Sequence, residues 1–239
     1  MKDRLFDRIL TVFFPRRCVC CGKVICPDEL FCENCDIGNC RIPRPKCPGC
    51  GQEEGLCNCS TQKFSFDKII APFYYENEVK DCIVNFKFRN YIDSGNFLAE
   101  EMVKTFEEEY VFLKPDMIVS VPLTRKRRNK RGFSQTDFLA EHISEETQIE
   151  FKKGLLKKVR ETPPQVGLDS KARRENLVGA FAVSKDADVK GKTIIICDDN
   201  KTTGATLNEC AKTLKKAGAE NVIALTAALT KNDFRGEKD

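Results

Sequence analysis

The chain has 239 residues, 32 % of them charged and 41 % hydrophobic, which fits one large soluble domain or a medium domain joined to a small one. No apolar run approaches the roughly 20 residues needed to span a bilayer, so a membrane-spanning protein is excluded. The 40 basic and 36 acidic side chains leave a formal net charge of only +4, and the single histidine, His142, nearly excludes a His-dependent catalytic triad.

Residues 4–14 are predicted to form a short amphipathic helix, because apolar side chains recur on one face at helical spacing. Packing against the chain's own core is the favoured role of this helix, and a membrane-surface helix is the alternative. The first ten residues carry two aspartates and lead to no small-residue cleavage site. A signal peptide is therefore not expected, and the chain is predicted to be cytoplasmic.

Cysteines dominate the next segment: eleven of the 14 lie between Cys18 and Cys59. Only eight other apolar residues occur between Cys18 and Ser60, too few to build a core, so something else must hold the segment together. A reducing cytoplasm disfavours disulfides, although a disulfide cluster is the alternative. We therefore expect bound zinc, which contributes about 10–16 kcal/mol to the folding of small peptides.

The spacing of the cysteines predicts which thiols bind the metal. Three C-x-x-C pairs and one C-x-C pair occur, and two such pairs complete a closed tetrahedral site of the structural type. The predicted ligands are Cys18, Cys21, Cys32, Cys35, Cys47, Cys50, Cys57 and Cys59. Because the last pair is less regular and Cys20, Cys26 and Cys40 are left over, one or two structural zinc ions are expected and ligand exchange stays open. Residues 1–65 are predicted to be the N-terminal helix and a double zinc ribbon-like domain.

Residues 66–239 alternate between predicted strands and helices. An apolar stretch at residues 69–75 opens this region. The predicted strands that follow are 117–121, 193–197 and 221–229, and the predicted helices are 96–110, 135–145 and one around 207–214 that stops near residue 218. Strands that are apolar without alternation, and that are separated by helices, are typical of a mainly parallel sheet covered on both faces. We therefore predict an α/β domain in residues 66–239.

The strongest functional motif is IIICDDNKTTGAT at residues 194–206. A buried strand is predicted to carry Asp198 and Asp199 to its carboxyl end, where carboxylates accept hydrogen bonds from sugar hydroxyls and favour a divalent cation. A loop and a helix follow. The loop, Lys201, Thr202, Thr203, Gly204, Ala205 and Thr206, offers hydroxyl and backbone N–H donors at the positive end of that helix. This threonine loop (residues 201–206) is predicted to bind phosphate; a simple helix N-terminus capped by threonines is the alternative.

A basic loop follows the strand predicted at residues 117–121. Six of the seven residues from Arg125 to Arg131 are basic, and Gly132 and Gln135 come next. Loops at the carboxyl ends of strands are where open α/β sheets bind ligands. The loop is predicted to neutralise a pyrophosphate or a nucleic-acid backbone, and a solvated surface loop is the alternative.

Residues 194–206 resemble the phosphoribosyl-pyrophosphate (PRPP) signature of type I phosphoribosyltransferases. The resemblance implies a type I phosphoribosyltransferase-like fold. It also implies that Asp198 and Asp199 hold the ribose hydroxyls with Mg²⁺, and that residues 201–206 hold the 5-phosphate. Asn200 replaces the usual apolar residue of the signature.

Nearly the whole chain resembles the ComF family of competence proteins, which carry a zinc segment before a phosphoribosyltransferase-like domain. The matching pieces are CVCCG, FCENC, CPGCG, the Lys87-Phe88 pair in NFKFRNY, VPLTRKRRNKRGFSQ and DDNKTTGAT. Arg127, Arg131, Gly132 and Gln135 fall on the family's basic-loop positions, where they would face the pyrophosphate. Ser134 replaces the family's usual asparagine.

The resemblance implies a role in natural competence, in which the protein assists uptake of transforming single-stranded DNA on the cytoplasmic side through a PRPP-binding site. PRPP or a ribose 5-phosphate ligand, single-stranded DNA and DNA-uptake proteins are the implied partners. An active phosphoribosyltransferase of nucleotide salvage and a non-catalytic PRPP-sensing scaffold are the alternatives. No residue of the sequence is assigned as a general base.

Overall fold

The structure, a computed structural model, describes residues 15–57, 59–60, 63–109, 114–124, 132–162 and 175–232. The helix predicted at residues 4–14 lies outside these ranges. In chain order the described elements are strands β1 (Lys68–Ile70) and β2 (Phe73–Tyr74), helices α1 (Asn77–Arg89) and α2 (Ile92–Glu109), strand β3 (Met117–Ser120), helix α3 (Gln135–Thr147), strands β4 (Leu156–Lys158), β5 (Phe181–Val183) and β6 (Thr193–Lys201), helix α4 (Ala205–Lys216) and strand β7 (Asn221–Leu229).

The main sheet is parallel and runs in the order β1–β7–β6–β3, with β2 pairing β7 beyond the end of β1. Strands β4 and β5 form a separate antiparallel pair. The register sets Ile118 beside Ile195 and Ile195 beside Ile223, all buried. One hydrophobic cluster joins the sheet to α1, α2 and α3, and a second joins it to α4 and the β4–β5 pair. The predicted α/β fold, a mainly parallel sheet with helices on both faces, is confirmed.

The cysteine-rich segment packs directly against this α/β core. Val19 and Cys20 are buried in the cluster that contains α1 and α2, and Phe31 meets Phe97 of α2 edge-on, with 5.1 Å between ring centroids. Two short 3₁₀ helices, Gly38–Cys40 and Glu54–Leu56, are the regular elements described within the segment. A segment with so few apolar residues gains a core by sharing that of its neighbour. The domain boundary predicted after residue 65 stays a prediction.

Strand β6 differs from its prediction. It continues to Lys201 instead of ending at residue 197, because Asp198 pairs with Thr226 and Lys201 pairs with Leu229 of β7. The predicted strand end was wrong, since the polar residues that suggested a loop complete a parallel ladder. Helix α1 was not predicted as an element, and α2 begins at residue 92 instead of 96. Among the described residues, no helix has both the length and the apolar character that crossing a membrane requires.

Candidate functional site

The structure brings together two groups of four cysteines. The first cluster is Cys18, Cys21, Cys32 and Cys35, and the second cluster is Cys47, Cys50, Cys57 and Cys59. Within each cluster, all sulfurs lie within 4.8 Å of one another. The Cys21–Cys32 and Cys47–Cys59 sulfur separations are both 3.6 Å, close to the edge of about 3.8 Å that a tetrahedron with Zn–S bonds of about 2.3 Å requires. All 14 cysteines are free thiols, so the predicted quartets fit two structural zinc ions.

The electrostatics of the clusters also fit a cation. Burial raises the pKa of the Cys18 thiol, but backbone N–H groups, led by that of Cys21, lower it to about 7. The pKa of Cys47 is lowered to about 7 in the same way, with the N–H of Cys50 leading. Burial and neighbouring thiols raise the pKa values of Cys35 and Cys59. Each cluster therefore contains one thiol with a lowered pKa and at least one with a raised pKa. A bound cation would stabilise the thiolate form of the latter.

The paired acids of the PRPP-like motif lie in the last part of β6. Lys87 of α1 places its Nζ atom 2.6 Å from Oδ1 of Asp199, and these side chains are only 17 % and 10 % exposed. The backbone N–H of Asp199 donates to Oδ1 of Asp198 at 2.9 Å. Burial and the negative charge of Asp199 raise the pKa of Asp198 to about 8, although Lys87 lowers it in part. One carboxylate is therefore neutralised by an ammonium, and the other favours a proton or an incoming cation.

The threonine loop, predicted as residues 201–206, comprises the last residue of β6, a turn at residues 202–204 and the first two residues of α4, and it lines a small open cavity. Its walls are Asp198 and residues 200–207, which include the whole predicted phosphate-binding stretch. Gly204 adopts a positive φ of +76° directly before α4, a conformation that glycine allows without strain. The cavity lies at the N-terminus of α4, where the first backbone N–H groups lack helical partners; that of Ala205 donates to the Thr203 hydroxyl at 3.4 Å.

Lys201 lies at the inner side of the threonine loop. It is only 4 % exposed, and its ammonium lies 5.3 Å from the centroid of the Phe64 ring. Burial lowers the pKa of Lys201, whereas the charges of Cys50 and Cys59 of the second cluster raise it. The side chain therefore packs beside the turn at Gly204 and Phe64, within the electrostatic influence of the second cluster.

The start of α3 reaches the same edge of the sheet from β3. The Ser120 hydroxyl donates to Asp137 at 2.6 Å, and the Thr136 hydroxyl donates to the carbonyl of Val121 at 2.8 Å. Gln135 is fully buried as the first residue of α3, and Gly132 is exposed with a φ of +78°. Arg127 and Arg131 lie outside the described residues.

Sequence reasoning missed several residues that shape the site. Lys87 was matched to the ComF family without a role, and nothing marked it as the ion-pair partner of Asp199, 112 positions further along the chain. Phe64, which contacts the threonine loop, follows the last cysteine pair and carries no motif of its own. Asn208 accepts a hydrogen bond from the N–H of Ser65 at 2.6 Å. These contacts join distant parts of the chain, and no local pattern signals them.

Comparison with known proteins places the chain in a family. Residues 96–239 match the phosphoribosyl transferase domain. The chain is 33 % identical to Competence protein F of Haemophilus influenzae, over 88 % of this chain and 95 % of that protein. It is 30 % identical to Competence protein ComFC of Streptococcus pneumoniae, over 82 % and 86 %, and 27 % identical to DNA utilization protein YhgH of Escherichia coli K12, over 86 % of each. The chain belongs to the ComF family, with a phosphoribosyl transferase domain that follows a cysteine-rich segment.

Proposed function

We propose that the chain binds PRPP at the carboxyl end of β6 and assists the uptake of transforming single-stranded DNA. The observation that carries this proposal is the open cavity whose walls are Asp198 and residues 200–207. The 5-phosphate binds the threonine loop at the N-terminus of α4, where backbone N–H groups and the helix dipole favour an anion.

The ribose binds beside the paired acids. Asp198 lines the cavity, and its carboxyl oxygens accept hydrogen bonds from the ribose hydroxyls. Among the described residues, Oδ1 of Asn200 is a buried side-chain oxygen without a hydrogen-bond partner, and Asn200 lines the same cavity. A sugar hydroxyl would satisfy it. The Asp198 carboxyl also fits Mg²⁺, which prefers oxygen ligands and would neutralise the pyrophosphate of PRPP, whereas Asp199 pairs with Lys87 and is not among the residues that line the cavity.

The DNA role rests on the relatives and on the basic loop. One relative is named a DNA utilization protein, and two are named competence proteins. The basic loop at residues 125–131 supplies the positive charge that a nucleic-acid backbone or the pyrophosphate requires. The chain acts in the cytoplasm, where PRPP is available. Turnover is not needed for this role, and no described residue is assigned as a general base.

The binding site is tested with the double variant Asp198→Asn/Asp199→Asn. PRPP with Mg²⁺ at 100 times its dissociation constant is expected to stabilise the unchanged protein by about 2.7 kcal/mol, read as a shift in the thermal unfolding midpoint. The double variant should lose this shift and remain folded. The control is Asp186→Asn/Asp188→Asn, which removes the same charge from exposed positions and should keep the shift. An unchanged shift in the first variant would place the ligand elsewhere.

The role of the bound ligand is tested with a panel of purine, pyrimidine and amine acceptors. Pyrophosphate release with one base would favour a salvage phosphoribosyltransferase. Binding without release, together with an affinity for single-stranded DNA that falls steeply with salt, is the result expected here. Normal transformation of a strain lacking the protein would remove the competence role.

A further inference from the structure

The segment of the second cluster is hydrogen-bonded to the residues that follow β7, which in turn bond the end of β6. Gln52, between Cys50 and Cys57, is fully buried, and its Nε2 donates to the carbonyl of Thr230 at 2.9 Å. Its Oε1 accepts from the N–H of Asn232 at 3.2 Å. Thr230 in turn donates its N–H to the carbonyl of Lys201 at 2.8 Å. One buried amide therefore links the second cluster, through a single residue, to the first residue of the threonine loop.

The chain leaving the second cluster packs against the same loop. Phe64 lies five residues after Cys59, and a Cβ on Gly204 would approach its ring to 2.8 Å. The N–H of the next residue, Ser65, donates to Oδ1 of Asn208 in the first turns of α4. The turn at Gly204 and the start of α4 thus rest on the segment that the second cluster anchors.

Charge connects the two sites as well. A filled Cys₄ zinc site carries a formal charge of about −2. The cations that feel the second cluster include the ammonium of Lys201, which is buried, lies 5.3 Å from the centroid of the Phe64 ring and has its pKa raised by Cys50 and Cys59. A buried ammonium costs several kcal/mol unless an opposite charge compensates it, so the filled cluster helps to hold Lys201 in place.

The first cluster has different neighbours. Its Val19 carbonyl accepts from the Ser94 hydroxyl at 2.7 Å, and its Cys20 carbonyl accepts from Nδ2 of Asn85. Both partners lie in α1 or α2, and neither cluster supplies a residue to the lining of the loop cavity. What distinguishes the second cluster is its described neighbours: Gln52 bonds Thr230, which bonds Lys201, and Phe64 contacts the turn at Gly204.

We propose that the second cluster is a structural part of the phosphate site, with Lys201 as a positioning residue, so that metal binding at the second cluster and phosphate binding at the threonine loop strengthen each other. This inference rests on the proposed function, because it needs a ligand in the loop. Coupling is reciprocal: if metal at the second cluster raises phosphate affinity, bound phosphate raises metal affinity by the same factor.

Reciprocity gives a test on the unaltered protein. Zinc buffers set the free zinc concentration, and alkylation of released thiols followed by peptide mass spectrometry reads the two clusters separately. Saturating ribose 5-phosphate, which needs no Mg²⁺, should lower the free zinc concentration that half-fills the second cluster by about tenfold. The half-filling concentration of the first cluster serves as the internal control and should not move. Equal shifts at both clusters, or no shift at either, would overturn the coupling.

Matched variants test the same coupling in the other direction. Cys59→Ser and Cys21→Ser each remove one thiolate, from the second and the first cluster respectively. Only Cys59→Ser should weaken ribose 5-phosphate binding in calorimetry, by about the same tenfold factor. Equal affinities in the two variants would contradict the proposal, and the zinc titration of the unaltered protein decides the question if Cys59→Ser fails to fold.

Calorimetry with the zinc-saturated, unaltered protein separates the two proposals. Binding of ribose 5-phosphate without any coupling leaves the proposed function standing and removes this inference. Absence of binding removes the proposed phosphate site, and the coupling with it.

Discussion

The two cysteine clusters share ligand type and an opening C-x-x-C pair, yet they pack against different parts of the α/β core. The first cluster rests on α1 and α2, and its contact Asn85 lies two residues before Lys87, the partner of Asp199. The second cluster packs on the carboxyl end of β7 through Gly51 and Gln52, and Phe64, five residues after Cys59, contacts the threonine loop. The neighbours of a metal site, more than its ligands, therefore decide what the metal does for function.

The largest expected effect concerns Lys87, which lies two residues after Asn85, the contact of the first cluster. Lys87→Met removes the ammonium that neutralises Asp199 and leaves this buried carboxylate beside the half-buried Asp198 without its cation. We expect a loss of about 3–5 kcal/mol in unfolding free energy, measured by urea denaturation at pH 8, because an uncompensated buried charge remains. Lys192→Met is the control, since its pair with Asp116 is 33 % and 39 % exposed and should contribute no more than about 1 kcal/mol. A loss below 1 kcal/mol for Lys87→Met would show that the ion pair does not hold α1 to the acids.

An intermediate effect is expected at Gly204, whose neighbour Phe64 follows the second cluster. Gly204→Ala places a Cβ 2.8 Å from Phe64 on a backbone with positive φ. We expect a loss of about 3 kcal/mol, together with weaker ribose 5-phosphate binding, because overpacking adds to backbone strain. Gly154→Ala has a similar φ of +73° with open space around its Cβ, so it isolates the strain and should cost about 1 kcal/mol. Equal losses of unfolding free energy in the two variants would mean that the contact between the new Cβ and Phe64 adds no destabilisation.

The smallest effect is expected for two buried side-chain amides, Gln52 in the second cluster's segment and Asn85 beside the first cluster. Gln52→Ala and Asn85→Ala each remove a buried side-chain amide whose NH₂ group donates to a backbone carbonyl, that of Thr230 or of Cys20 respectively. Each should cost about 1–3 kcal/mol by urea denaturation. Calorimetry should then show a lower ribose 5-phosphate affinity in Gln52→Ala only. The reverse order of affinities would assign the support of the loop to the first cluster.

Local patterns were enough to predict the cysteine quartets, β7 and the position of the threonine loop. A C-x-x-C turn sets the separation of its own sulfurs, and a dense apolar run such as residues 194–197 indicates a buried strand without further context. The end of β6 could not be predicted in this way, because Asp198 and Lys201 join the strand only through pairing with β7. Lys87, Gln52 and Phe64 were missed for the same reason: each meets its partner across a long stretch of chain.

The central position of β7 has a consequence for how the chain is made. Strand β7 lies between β1 and β6, although it is the last of the described strands along the chain. On the ribosome, the thiols of both clusters emerge well before Leu229, which packs on Gly51 beside Cys50. Metal loading can therefore precede closure of the sheet, and the apolar surface beside the second cluster stays open until β7 has been made. A cell that produces this protein under zinc limitation would be expected to accumulate aggregates of nascent chains.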